Sequence, residues 1–126
     1  MNAFLQQLWH AVSGGMMSWY DAKMFIEHAS VVNSDGLHVL LGVLVWMLIA
    51  VVLRRGLSAR LPWLILLALT LFNEGVDLWM EQWPDKAMQF GESAKDVLLT
   101  MTLPVVLMLA IRLRPALFRA PSGRRR

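Results

Sequence analysis

Residues 71–83, which read LFNEGVDLWMEQW, place three carboxylates inside a stretch that is otherwise apolar enough for a membrane. Glu74, Asp77 and Glu81 have the spacing i, i+3 and i+7, so on a helix they lie on one face. A charged side chain near the middle of a bilayer costs about 2.5–3.5 kcal/mol on insertion scales. Such residues persist mainly where a bundle interior, an ion or a wet cavity receives them. This polar stripe is therefore the predicted functional site.

Composition decides the class of protein. The chain has 126 residues, of which 57% are hydrophobic, and its mean hydropathy of +0.52 is too high for an ordinary soluble domain. We expect an all-α integral membrane protein. The net charge of +3 comes from arginines that flank apolar runs, which indicates membrane topology and not a nucleic-acid partner. The absence of cysteine excludes disulfides and thiolate metal sites.

The first 33 residues are too polar to cross lipid. They are predicted to form one or two amphipathic helices on the outer face of the membrane. The first would cover residues 3–12 and stop at the Ser-Gly-Gly of residues 13–15. The second would begin at Ser18 as its N-cap and run to about Val32. Trp9 and Trp19 suit an interfacial position, where aromatic rings lie at headgroup level.

Three membrane-spanning helices are predicted within residues 34–114, at about 37–53, 61–80 and 94–111. Asp35 is expected to cap the first span and Ser93 the third, with a polar loop between residues 81 and 95. Pro104 lies inside the third span, where it cannot donate to the carbonyl of Thr100. Residues 115–126 form a basic cytoplasmic tail.

The arginines predict the orientation of the bundle. All nine arginines of the chain fall on one side of the membrane, in the loop after the first span and beyond the third: Arg54, Arg55, Arg60, Arg112, Arg114, Arg119, Arg124, Arg125 and Arg126. The positive-inside rule places this side in the cytoplasm of a bacterial inner membrane and the N-terminus outside. All nine acidic residues and all three histidines then lie on the outer side or in the outer half of a span.

The outer half of the bundle is therefore expected to contain an acidic pocket that binds a ligand. Its predicted residues are Glu74, Asp77, Asp96, His38, Thr100, Asn73 and Glu81. A divalent cation held by Glu74, Asp77, Asp96 and His38 would neutralise the crowded acids, although no specific metal motif is present. In the structural alternative, Asp77 and Glu81 reach the interface while Glu74 is protonated or hydrogen-bonded to Asn73, His38 or Thr100.

Spans two and three resemble the C-terminal half of the VanZ-like membrane protein family. That family has a Glu with a Gln three residues later, then a loop with an Arg, then a Ser and an Asp three apart with an Asn four residues beyond. Glu74 matches the Glu, and Asp77 stands at the Gln position. Ser93 and Asp96 match the second pair, and Thr100 stands where the Asn would be.

Two further positions define the extent of this resemblance. Asp35 and His38 resemble an Asp and a His that enter an earlier span of the family, with one residue fewer between them. Phe90 stands where the loop arginine is expected, so a phosphate-binding role of that arginine does not carry over. The resemblance implies a small multi-span envelope protein linked to lipid, cell-wall precursor or glycopeptide-antibiotic response, without an assigned catalytic step.

Several functions stay open at this point. The leading reading is a non-catalytic envelope protein whose outer pocket binds a lipid headgroup, a cell-wall precursor, a cation or a metal-bridged ligand. The first alternative is an assembly subunit that associates with copies of itself or with a larger membrane complex. The second is a lipid-modifying enzyme with Glu74 as base and His38 or Asp96 as acid or ligand, for which no nucleophile is recognisable.

Overall fold

The protein folds into four α-helices in a computed structural model that describes residues 3–30 and 32–118. The helices are α1 (Ala3–Ala29), α2 (Ser34–Val52), α3 (Arg60–Met80) and α4 (Lys86–Leu113), followed by a 3₁₀ turn at Pro115–Phe118. The described residues contain no strand. The all-α prediction is confirmed, while the predicted basic tail beyond residue 118 lies outside the described residues.

Three of the helices, α2, α3 and α4, are long and apolar enough to cross a membrane. At 1.5 Å per residue, the 21 residues of α3 extend about 32 Å, close to the thickness of about 30 Å of a hydrocarbon layer. The 28 residues of α4 extend about 42 Å, so the helix exceeds that thickness by about two turns.

The predicted break in the N-terminal region is wrong. Residues 13–15 lie inside one continuous helix α1 of 27 residues. The Ser13 hydroxyl donates to the His10 carbonyl at 3.2 Å, and the Ser18 hydroxyl donates to the Gly14 carbonyl at 3.0 Å. Both serines therefore bond back along the helix instead of capping a new one. The interfacial, amphipathic character of α1 stays a prediction.

The predicted start of the helix that contains the third span is also wrong. Asp85, not Ser93, is the N-cap of α4, and its Oδ1 accepts hydrogen bonds from the amides of Ala87 and Met88 at 2.9 and 3.2 Å. The polar residues that suggested a loop form the first turns of the helix. Because these turns exceed the hydrocarbon thickness, they need not be apolar.

Asn33, and not Asp35, caps the first span. The Asn33 side-chain oxygen accepts a hydrogen bond from the Gly36 amide at 2.9 Å. Asp35 lies in the first turn of α2, where the helix dipole stabilises an acidic side chain. Its carboxylate pairs with Lys95 of α4 at 3.1 Å.

The spanning helices pack on one another, with α2 against α4 and α3, and α3 against α4. Their core is formed by Trp46, Leu66, Met101 and Met108. Many large apolar side chains point away from it, and Leu48 and Val51 are 61% and 72% exposed. Such a surface is far more apolar than that of a soluble monomer, so it suits contact with lipid or with another membrane protein.

The closest approach between α2 and α4 is at Gly42. A Cβ atom built on Gly42 would lie 2.2 Å from the carbonyl oxygen of Thr100. Pro104 has no N–H, so this carbonyl lacks its usual partner four residues later in α4. The glycine therefore allows α2 to pack directly on the stretch of backbone that the proline leaves without a helical hydrogen bond.

We expect Gly42→Ala to lower the stability of the purified protein by about 1–3 kcal/mol, because the methyl group overlaps backbone that cannot move aside without separating the helices. Thermal unfolding in detergent measures the effect. Gly75→Ala is the matched control, since a Cβ at Gly75 meets nothing within 4 Å. Alanine there should be neutral or stabilising by about 0.5–1 kcal/mol. Equal unfolding temperatures for the two variants would contradict the close packing.

Candidate functional site

The candidate site lies where the first turns of α2, the last turns of α3 and the N-terminal half of α4 meet. His38 is in the second turn of α2, Glu74 lies six residues before the end of α3, and Asp96 is ten residues into α4. Because consecutive spans run in opposite directions, the three side chains lie near one end of the bundle. Each offers one ligand atom, and these atoms all lie within 4.8 Å of one another.

The hydrogen bonds of Thr100 define the state of the His38 ring. The Thr100 hydroxyl donates its single proton to the Asp96 carbonyl at 2.8 Å, so its oxygen acts as the acceptor for His38 Nδ1 at 3.1 Å. Nδ1 therefore carries a hydrogen, and Nε2 is the ring atom that faces the acids. His38 Nε2 lies 3.4 Å from Asp96 Oδ2. In the neutral ring, Nε2 carries a lone pair that is directed at the Asp96 carboxylate.

Glu74 is the most deeply buried acid of the site, with 5% of the residue exposed. Its Oε1 accepts a hydrogen bond from the Asn73 side-chain amide at 3.2 Å. The salt bridges among the described residues do not include Glu74. A buried carboxylate without a cationic partner is costly, which makes Glu74 the group most in need of a positive charge.

Asp77 lies one turn further along α3 and is neutralised by α1. Its Oδ2 forms a salt bridge with Lys23, and the Asn73 amide donates to the same oxygen at 3.4 Å. The other oxygen, Oδ1, is buried without a hydrogen-bond partner among the described residues. Burial alone would lower the pKa of Lys23, but the hydrogen bond and charge of Asp77 outweigh it and raise that pKa above its ordinary value of 10.5.

Two aromatic side chains of α1 also bind to this end of α3. The Trp19 indole N–H donates to the Asn73 side-chain oxygen at 3.0 Å, and the Tyr20 hydroxyl donates to Glu81 at 3.3 Å. The Trp83 indole donates to the second oxygen of Glu81 at 2.8 Å. α1 is therefore fixed beside the site by polar contacts, although none of its residues is buried.

Two connected cavities lie at the site. The first, called here the polar cavity, has a volume of about 180 Å³ and contains the acids. The second, called the apolar groove, has a volume of about 360 Å³ and extends between α1, α2 and α3. The two share five lining residues: Lys23, Glu27, Ser34, His38 and Glu74.

The structure brings together most of the residues predicted for the site. His38, Glu74, Asp96 and Thr100 are in mutual contact or close to it, and Asn73 lies beside them. Asp77 was predicted as a metal ligand, but it is paired with Lys23 and lies outside the three-residue cluster. Glu81 follows the end of α3 and binds Tyr20 and Trp83 instead.

Sequence reasoning missed the contributions of Lys23 and Gln89. Lys23 was assigned to an interfacial helix. It is the single lysine of the first 33 residues, so it was a candidate for a salt bridge with one of the acids of residues 74–81. Gln89 is 4% exposed, and its side-chain amide donates to the Glu81 carbonyl at 2.9 Å. Because Gln89 fell in the predicted loop, nothing in its local pattern indicated burial.

Comparison of the chain with protein-family models, with curated proteins and with solved structures gives no match. The resemblance to the VanZ-like family therefore gains no support from these comparisons. The function is argued below from the site itself.

Tyr20 provides a direct test of the contact between α1 and the end of α3, because it is the single tyrosine of the chain. Burial and the neighbouring Glu81 carboxylate raise the pKa of Tyr20 above its ordinary value of 10.0. The contribution of this hydrogen bond to stability is complete below pH 10 and is lost as the pH rises through the folded-state pKa. We expect the tyrosinate absorbance of the folded protein to titrate above pH 10.0.

Glu81→Gln should bring this midpoint back toward 10.0, because it removes the negative charge beside the phenol. Glu92→Gln is the control, since Glu92 pairs with Lys95 and should leave the titration unchanged. A wild-type midpoint at or below 10.0 would show that Tyr20 does not bind Glu81 in the folded protein.

Proposed function

We propose that this chain is a multi-pass membrane protein of the bacterial cell envelope that binds a divalent cation between α2, α3 and α4, without catalysis of its own. The observation that carries the proposal is the convergence of three ligand atoms, from His38, Glu74 and Asp96, within 4.8 Å of one another. A VanZ-like identity would agree with this function, because the same residues carry that resemblance.

The spacing of the ligands supports a cation between them. Two ligands bound at about 2.0–2.1 Å to a tetrahedral ion are about 3.3–3.4 Å apart. The distance between His38 Nε2 and Asp96 Oδ2 is 3.4 Å. The hydrogen bond from His38 Nδ1 to Thr100 also supports metal binding, because a ligating histidine commonly donates its other N–H to an oxygen that fixes the ring.

The donor set indicates the kind of cation. One imidazole with two carboxylates suits Zn²⁺ or Mn²⁺, whereas Ca²⁺ prefers six to eight oxygen ligands. Three protein ligands leave at least one position of the ion open. A bound ligand would occupy that open position toward the polar cavity.

The charges of the site also favour a cation. Lys23 is already paired with Asp77, and Lys95 pairs with Asp35 and Glu92 at the surface. Protonation of His38 would satisfy Asp96 but would leave Glu74 buried without a counter-charge of its own. A divalent ion neutralises both acids at once. The assembly-subunit and lipid-modifying alternatives have no comparable contact among the described residues in their favour.

Metal binding is tested by metal analysis and thermal unfolding of the protein purified in detergent. We expect Zn²⁺ or Mn²⁺ to stabilise the wild type, by about 2.7 kcal/mol at a hundredfold excess over the dissociation constant, and EDTA to reverse the effect. Glu74→Gln and Asp96→Asn should each weaken binding at least about tenfold. Asp35→Asn is the matched control, because its carboxylate lies at the surface.

In EDTA the order of the variants by thermal stability should change. Glu74→Gln should be at least as stable as the metal-free wild type, because the substitution removes a buried charge that has lost its partner. A wild-type protein that takes up neither metal and has the same unfolding temperature with and without EDTA would overturn the proposal.

We also propose that the N-terminus and the loop between α3 and α4 lie outside the cytoplasm. Support comes from the arginine distribution and from the position of the acids near the opposite end of the spans. Because the chain contains no cysteine, single cysteines can report the orientation. In intact cells, a membrane-impermeant maleimide should label Gln82→Cys, and it should label Gly56→Cys only after permeabilisation. The reverse pattern would invert the topology.

A further inference from the structure

The apolar groove adjoins the polar cavity, since the two share five lining residues, and an apolar space beside a polar one matches the shape of a lipid. The groove is lined by Leu37, Leu41 and Val45, which repeat every four residues along one face of α2. From His38 at the cavity to Val45 the face extends about 10 Å. A volume of about 360 Å³ lies within the range of about 300–1,000 Å³ that is usual for ligand sites.

The far walls of the groove are apolar as well and are reachable from the bilayer. Ile26 of α1 and Leu69 and Phe72 of α3 line it, and these residues are 53%, 49% and 58% exposed. Trp19 forms another part of the wall and is fixed by its hydrogen bond to Asn73. α1 packs on α3, so the space between α1 and α2 is left for the groove.

The charges that line the polar cavity indicate which headgroup it would accept. A purely anionic headgroup would be repelled, because six carboxylates line this cavity: Glu27, Glu74, Asp77, Glu81, Glu92 and Asp96. Glu27 lines both cavities and has no side-chain partner in the salt bridges of the described residues. An ammonium group would complement Glu27, while a phosphate requires a cation.

We propose that the groove binds one acyl chain of an aminophospholipid, whose phosphate takes the open position of the divalent cation and whose ammonium group contacts Glu27. This proposal rests on the cation site of the proposed function. A zwitterionic headgroup fits because the proposed cation between two acids would receive its phosphate, whereas Glu27, which lines the same cavity and takes part in no salt bridge of the described residues, would receive its ammonium group. The apolar groove explains why the ligand is a lipid and not free phosphate.

The test measures binding of dioctanoyl phosphatidylethanolamine to the full chain in detergent with Zn²⁺ present. We expect saturable binding to the wild type, at least about tenfold weaker binding to Leu41→Trp, and loss of binding in EDTA. Leu40→Trp is the matched control, because Leu40 is the neighbouring residue of α2, is 49% exposed and does not line the groove. It should bind as the wild type does.

Two further comparisons test the headgroup. Glu27→Gln should weaken the binding of phosphatidylethanolamine, whereas it should leave that of phosphatidylglycerol, which is anionic and has no amine, equal or stronger. Inorganic phosphate should bind at least about tenfold more weakly than the lipid. Equal binding by Leu41→Trp and wild type, equal binding of phosphate and lipid, or lipid binding that EDTA leaves unchanged would each overturn the proposal.

The bound metal is measured on the same samples, which separates the two proposals. If the wild type contains metal but binds no lipid, the lipid proposal alone fails. If the wild type contains no metal, the proposed function fails first. Leu41→Trp should keep the metal of the wild type, because Leu41 does not contact the ion.

Discussion

The structure depends on how it accommodates buried carboxylates at the end of a helix that is long and apolar enough to span a membrane. Glu74 and Asp77 are one turn apart on α3, and both are almost fully buried. Asp77 is paired with Lys23, a residue more than fifty positions earlier in the chain. Glu74 has only an amide donor from Asn73 within the described residues. Asp77 is therefore neutralised within the fold, whereas Glu74 is the acid that the proposed cation would neutralise.

The pairing of Asp77 gives the N-terminal helix its place. No residue of α1 is buried, yet two kinds of contact hold it against α3. Lys23, Trp19 and Tyr20 form polar contacts to the end of α3, and the rings of Trp9 and Trp79 meet edge to face with their centroids 5.7 Å apart. α1 thereby forms one wall of both cavities.

The packing of α2 against α4 also sets the geometry of the candidate site. Gly42 approaches the Thr100 carbonyl, and His38, one turn earlier on α2, contacts the Thr100 hydroxyl. Thr100 therefore serves helix packing with its backbone and orients the His38 ring with its side chain. His38 is thus held at Asp96 by the contact between the two helices, and a change in their separation would be felt at the site.

The sequence by itself determined the all-α class, the three apolar helices and most residues of the candidate site. These features follow from local pattern, because a long apolar run predicts a spanning helix and acids at helical spacing predict a polar face, whatever the rest of the chain contacts. The ends of the helices were less certain. Residues 13–15 are Ser-Gly-Gly, and residues 86–95 include several polar residues and a glycine. Both stretches are typical of loops, yet helices α1 and α4 pass through them.

Only the tertiary structure decided which acids share a site. Helical spacing put Asp77 on the face of Glu74, but the lysine that neutralises Asp77 comes from a separate helix. Asp96 and His38 meet Glu74 because α2 and α4 pack closely at Gly42. Such pairings depend on the direction and distance of whole helices, which no local pattern specifies.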